Sequence, residues 1–138
     1  WAANNDLDSL FEYLRDIAIP KTQGYWEDHM ILANREGLPL ILYEAGHHLA
    51  ADTASYKYSS MQLVTDFYTA ANRDIRMGEI YGQLLNIWKD LSGELFEHFS
   101  SVSVPSRYGD WGALEYINQE GTPKYNKLME YIRAIEQP

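Results

Sequence analysis

The sequence has no cysteine and few basic residues, and each deficit argues against a class of function. Without cysteine there are no disulfides and no thiolate chemistry. The 11 Lys and Arg residues against 20 Asp and Glu residues give a net charge of −9, which repels nucleic-acid phosphates and offers no basic patch to an anionic membrane. No apolar run approaches the roughly 18 residues that a bilayer-spanning helix needs. Nucleic acid and membranes are therefore not expected as partners.

Apolar and aromatic residues are abundant instead. Of the 138 residues, 46% are hydrophobic and 14% are aromatic, which is enough for the core of one ordinary domain and too much for a disordered chain. We predict that residues 1–138 form a single domain. The 11 tyrosines and four tryptophans either fill its core or line an interface or ligand cleft, because each ring combines an apolar body with a polar tip.

Apolar residues at helical spacing predict helices over about 6–18, 22–35, 61–71 and 77–91, and a last helix after Thr122. Pro20 is expected to interrupt the chain between the first two helices, and Gly37 to cap the second. Thr122 is a good N-cap, since a side-chain oxygen at that position accepts from a free backbone N–H. Pro123 suits the first helical position.

Two stretches predict β-strands, "LPLILYE" over 38–44 and "ELFEHFS" over 94–100. The first is apolar in succession rather than alternately, which is typical of a strand covered on both faces in a parallel sheet. A helical crossover of about fifty residues joins the two strands, so they should run parallel. The predicted fold class is therefore helix-rich α/β, with about two parallel strands and flanking helices.

A two-stranded parallel pair leaves backbone groups unpaired along its outer edges. We expect these edges to be covered in one of two ways. Either a second copy of the chain forms a homodimer, or further strands come from a missing segment of a longer protein.

Three stretches in order carry a family resemblance: "LPLILYEAGHHL", "ANRDIRMGEIYGQLLNIWKD" and "GELFEHFSSVSVPSRYGDWGALEYINQEGTPKY". They resemble the C-terminal part of a bacterial family of large proteins, often labelled cellulose-binding or hypothetical, that carry a barrel similar to the clan A glycoside hydrolases. The corresponding family segments read approximately YEGGQHL, ANRDPRM and YG-WG-LEY. The resemblance spans about residues 25–131. Where the family segments have glycine, proline and glutamine, this chain has Ala45, Ile75 and His47.

The resemblance implies that the chain is the C-terminal portion of a (β/α)₈ barrel, with its strands in the seventh and eighth places. Glu44 then stands where clan A enzymes have their nucleophile, and carbohydrate is the implied ligand. The acid/base glutamate belongs on the fourth strand, which this chain lacks. The chain by itself is therefore expected to be inactive, because glycoside hydrolysis needs two carboxyl groups.

The candidate site residues follow from the strand ends and from the aromatic loop "SVSVPSRYGDWGALEY" over 101–116, which comes after the second strand. Glu44 is the candidate catalytic residue, because barrel enzymes place catalytic groups at the C-terminal ends of parallel strands. Alternatively its carboxylate is tied into a hydrogen-bonded network with His47 or His98. Trp111 is either a platform for a sugar ring or a plug at the end of the core. The full set of candidate substrate-binding residues is Tyr43, His47, His98, Tyr108 and Trp111.

No metal site and no cofactor are predicted. His47 and His48 are adjacent and so lack the i, i+4 spacing of a zinc-binding helix. The "NRD" stretch at 72–74 is interpreted as a capping and salt-bridge cluster between two helices. Two function classes stay open, a carbohydrate-active barrel portion and a non-enzymatic module that self-associates through its strand edges.

Overall fold

A computed structural model of the chain describes residues 1–51 and 58–136, with backbone only for Tyr58 and Ser59. A 3₁₀ turn, Ala2–Asn4, comes first. The elements that follow are α1 (Leu7–Tyr13), a π-helical turn (Leu14–Ala18), α2 (Ile19–Glu36), β1 (Ile41–Ala45), α3 (Tyr58–Arg73), α4 (Ile75–Asp90), β2 (Leu95–His98) and α5 (Pro123–Glu136). Among the described residues, none of the helices has the length and apolarity that crossing a membrane requires.

The expected interruption at Pro20 is wrong. The chain stays helical from α1 through the π-helical turn into α2, where Pro20 is the second residue. A proline in an α-helix clashes with the carbonyl four residues earlier. In the turn before it the Ile19 N–H instead donates to the carbonyl of Leu14, five residues back, and this wider ring admits the proline. Gly37 ends α2 in the left-handed conformation (φ 67°), as predicted.

The two strands form the predicted parallel pair. Ile41 pairs with Leu95 and Ala45 with His98, and the register shifts between Leu42 and Ala45. The helix-rich α/β class with two parallel strands is thus confirmed.

The expectation that β1 is covered on both faces is wrong for this chain. Ile41, Tyr43 and the neighbouring Leu95 are 50%, 69% and 47% exposed. The physical reason is that the described helices cover the face where His98 meets Tyr81 of α4 and leave the face of Ile41, Tyr43 and Leu95 exposed. The successive apolar residues of β1 therefore leave an apolar surface open.

The core is built mainly by helices rather than by the sheet. It is a cluster of buried side chains from the N-terminal helices, α3 and α4: Leu10, Phe11, Leu14, Ile19, Phe67, Ala71, Met77, Ile80, Tyr81 and Leu84. Trp26 of α2 and Trp88 of α4 meet edge to face, with ring centroids 5.4 Å apart, a favoured geometry for aromatic pairs.

Helix α5 begins as predicted and packs on α4. The Tyr125 N–H donates to the Thr122 hydroxyl (3.1 Å), and that hydroxyl donates to the carbonyl of Ala113 (2.5 Å). The backbone of Pro123 lies against Gly78 of α4, where a Cβ would come within 2.9 Å of the Pro123 carbonyl oxygen. Close contact at Gly78 therefore sets the position of the first turn of α5.

Gly78→Ala is expected to lower the free energy of unfolding by about 1–3 kcal/mol, because the added methyl forces α4 and α5 apart. Gly24→Ala is the matched control within α2, since its Cβ would have no neighbour within 4 Å. There the gain in helix propensity should stabilise the protein by about 1 kcal/mol. Urea unfolding of both variants checks the pair. Equal effects would contradict the close α4–α5 contact.

Candidate functional site

A cleft of about 310 Å³ lies at the C-terminal ends of the two strands. Parallel strands end at the same edge of a sheet, so β1 and the segment after β2 both contribute to it. Its lining residues are Glu44, Ala45, Gly46, His48, Phe99 and Trp111, and we call it the Glu44 cleft. The predicted catalytic residue and the predicted sugar platform thus line one cleft.

The two adjacent histidines lie in different environments. The His48 ring lines the Glu44 cleft, with its centroid 4.6 Å from that of Trp111. The His47 ring is buried. Gly46 separates β1 from this pair and has a φ of 141°, which L-residues rarely adopt. A Cβ at Gly46 would also lie 3.0 Å from the Tyr81 hydroxyl, so the turn depends on a glycine here.

His47 belongs to a buried polar cluster behind the cleft. Its Nε2 lies 3.2 Å from both Asn72 Oδ1 and Lys124 Nζ, so it donates to the first or accepts from the second according to the ring proton. Its Nδ1 lies 3.4 Å from the Leu49 backbone nitrogen. Burial, assisted by the charge of Lys124, lowers the pKa of His47 to about 3. The ring is therefore neutral at pH 7.

Tyr81 connects this cluster to β2. Its hydroxyl accepts from the His47 N–H (3.3 Å) and lies 3.0 Å from His98 Nε2. Burial, assisted by Lys124, lowers the pKa of His98 to about 4. Since neutral His98 can accept at Nε2, the tyrosine can donate to it. Burial raises the pKa of the Tyr81 phenol itself, so it stays protonated.

Lys124 has no solvent exposure and supplies the positive charge of the cluster. Its Nζ donates to the backbone carbonyl of Asp110 (2.6 Å). Burial lowers the pKa of Lys124 to about 8, although Asp110 and Glu115 oppose the shift. We call the group of His47, Asn72, Tyr81, His98, Asp110 and Lys124 the Lys124 cluster.

The Asp110 side chain is buried beside the lysine rather than in the cleft. Its Oδ1 accepts a long hydrogen bond from Thr69 (3.5 Å). Its Oδ2 has no hydrogen-bond partner among the described residues. Burial raises the pKa of Asp110 to about 6, because a buried carboxylate with few donors is costly.

The "NRD" stretch forms the predicted capping and salt-bridge cluster. Asp74 caps α4 by accepting from the Arg76 N–H (2.9 Å). Arg73 makes a bidentate pair with Glu115 (2.8 Å for each bond), which lowers the pKa of that carboxyl. The sequence did not indicate the third role, in which Asn72 contacts the ring of His47.

The other predicted substrate-binding residues do not line the Glu44 cleft. His47 and His98 lie behind it in the Lys124 cluster. Tyr43 is exposed on the uncovered face of β1, and Tyr108 is exposed with the Arg107 guanidinium over its ring. His48, Phe99 and Lys124 were not identified from the sequence. Among the described residues no group of three or more His, Asp or Glu could hold a metal ion.

The buried histidines should make the free energy of unfolding depend on pH. Between pH 6.5 and about pH 4 the unfolded chain binds protons at His47 and His98 that the folded chain excludes, so stability falls as pH falls. Asp110 acts in the opposite sense between about pH 6 and 3.8, because its folded pKa is raised. The net effect is acid destabilisation with a slope of about one proton.

His47→Gln should remove the larger part of this slope. An amide can still contact Asn72 and Lys124 but has no proton to bind near pH 5. We expect the wild type to take up about one more proton on unfolding at pH 5 than the variant, measured from urea unfolding as a function of pH. Identical slopes would show that the His47 ring is not kept neutral by burial.

Comparison of the chain with protein-family models, with curated proteins and with solved structures gives no match.

Proposed function

We propose that the Glu44 cleft binds carbohydrate and that the chain is the C-terminal portion of a glycoside-hydrolase-like (β/α)₈ barrel. In this arrangement β1 and β2 take the seventh and eighth strand places. The observation that carries the proposal is that the Glu44 carboxylate and the Trp111 indole line the same cleft at the C-terminal edge of parallel strands.

The chemistry of the lining suits a sugar. A half-buried indole offers a flat apolar face on which the C–H bonds of a pyranose can stack. The Glu44 carboxylate accepts hydrogen bonds from hydroxyl groups, and the His48 ring adds a further polar group. A small concave site with an aromatic wall and few convergent polar groups is typical of ligand pockets.

Hydrolysis requires a second carboxyl group that this cleft does not supply. Retaining and inverting glycosidases both place two carboxyl groups across the bond, about 5 Å apart or wider. Among the described residues that line the cleft, Glu44 is the one carboxylate. The chain alone should therefore bind saccharides without cleaving them, with the acid/base group supplied by another segment of the barrel.

Titration calorimetry with a panel of neutral oligosaccharides tests the proposal. Trp111→Ala should weaken binding about tenfold or more, as expected for loss of an aromatic anchor, and Glu44→Gln should weaken it by loss of the charged acceptor. Tyr25→Ala, which removes an exposed ring on α2, is the matched control and should bind like the wild type. No binding by the wild type, or equal loss in all three variants, would overturn the proposal.

A second candidate function is that of a self-associating module. The specific observation is the open apolar surface formed by Ile41, Tyr43 and Leu95. A groove of about 510 Å³ adjoins it between β2, α4 and α5, with Phe96, Trp88 and Ile132 among its apolar lining residues. A two-fold dimer that pairs these surfaces would cover the strand edges of both copies.

Light scattering should then give twice the 16.0 kDa mass of the chain. Added salt should favour the dimer, because the net charge of −9 makes two copies repel each other. Tyr43→Lys should yield monomers, whereas Tyr25→Lys, at a comparably exposed ring on α2, should leave the dimer intact. A monomer at every salt and protein concentration would contradict self-association.

A further inference from the structure

We propose that Lys124 is a positioning residue whose buried ammonium group couples the two segments that form the walls of the Glu44 cleft, the turn after β1 and the loop after β2. The inference rests on the proposed function, because it concerns the geometry of that cleft. Lys124 does not line the cleft and would act through its neighbours.

The first contact of Lys124 reaches the turn after β1. Its Nζ lies 3.2 Å from Nε2 of His47. The backbone of His47 is held by the Tyr81 hydroxyl at 3.3 Å. The next residue, His48, lines the cleft. The buried ring of His47 therefore fixes the position of this wall.

The second contact reaches the loop after β2. Lys124 Nζ donates to the carbonyl of Asp110 at 2.6 Å, and the following residue is Trp111. The carbonyl of Trp111 in turn accepts from the Ser100 N–H (3.2 Å). One ammonium group thus contacts the residue before each of the two rings, His48 and Trp111, that meet in the cleft.

A lysine is energetically unfavourable at this position. It is the second residue of α5, where the helix dipole disfavours a cation, and it is buried. A buried ammonium is tolerated only when acceptors surround it. Its position is also fixed independently, because Pro123 beside it packs against Gly78 of α4. These features fit a group whose hydrogen bonds join two segments.

The test compares Lys124→Met with Lys127→Met in the full chain without ligand. Lys127 is partly exposed on the same helix and pairs with Glu130. Amide hydrogen exchange should speed up about tenfold in Lys124→Met at two positions, His47, whose N–H donates to the Tyr81 hydroxyl, and Ser100. A factor of about ten is expected for one lost charge-assisted hydrogen bond. The indole N–H resonance of Trp111, assigned with Trp111→Phe, should shift. Lys127→Met should change none of these signals.

A role limited to general packing gives a different result. Exchange at Gly93, whose N–H donates to the Trp88 carbonyl, and the Trp88 indole resonance would then change as much as the cleft signals. Those signals should stay constant if Lys124 acts as a link.

Substitutions at His47 test the coupling even if Lys124→Met does not fold. His47→Leu should speed exchange at Ser100, whose N–H donates to the Trp111 carbonyl of the other wall. His47→Gln should keep the wild-type rate. In the Lys124→Met background His47→Leu should add no further change at Ser100 or Trp111. An additive effect would mean that the walls communicate through another contact, such as the Phe99–Ala45 backbone hydrogen bond (2.9 Å) or the His48 and Trp111 rings, and it would overturn the inference. If Lys124→Met does not fold, an unchanged exchange rate at Ser100 in His47→Leu would overturn it instead. Because every readout is ligand-free, this outcome is independent of whether saccharide binds.

Discussion

A buried ammonium group must be surrounded by acceptors, and the polar interior of this protein is arranged around that requirement. Lys124 contacts the backbone carbonyl of Asp110 and the neutral ring of His47. The carboxyl groups of Asp110 and Glu115 act on its charge at longer range. Burial, assisted by this charge, lowers the pKa of His47 and of His98 and keeps both rings neutral. Four separate parts of the chain meet in this way: the turn after β1, the end of α3, the aromatic loop and the start of α5.

Much of the secondary structure could be predicted from local signals. Gly37 and Thr122 mark helix ends because glycine tolerates left-handed backbone and a hydroxyl satisfies a free N–H. The parallel pair could be predicted from a long helical crossover between two apolar stretches. The interruption predicted at Pro20 is wrong because a π-helical turn accommodates the proline, and such a turn has no strong sequence signal. The exposure of Ile41 and Tyr43 could not be foreseen, since an apolar pattern indicates a surface that can be covered but not what covers it.

The candidate site was predictable in part. Glu44 ends the first predicted strand, and Trp111 lies in the loop that follows the second. Parallel strands bring such positions to one edge of the sheet. The separation of His47 from His48 depends on the unusual backbone of Gly46, which the residue letters alone do not specify. Lys124 was missed because a lysine in the first turn of a helix normally points to solvent. Only the tertiary packing of α5 on α4 buries it.

Among the described residues β1 pairs with β2 alone, and the other edge of β1 gives Glu44 a consequence that requires no ligand. A short apolar strand with an unpaired edge is the kind of segment that can recruit identical strands into an open-ended stack. In such an in-register stack every Glu44 carboxylate would lie about 4.8 Å from its copies above and below, and like charges at that spacing repel. A carboxylate that follows Ile41, Leu42 and Tyr43 opposes such stacking, as a charge beside an apolar strand does in general. Solubility alone would then favour an acidic residue at the end of this strand.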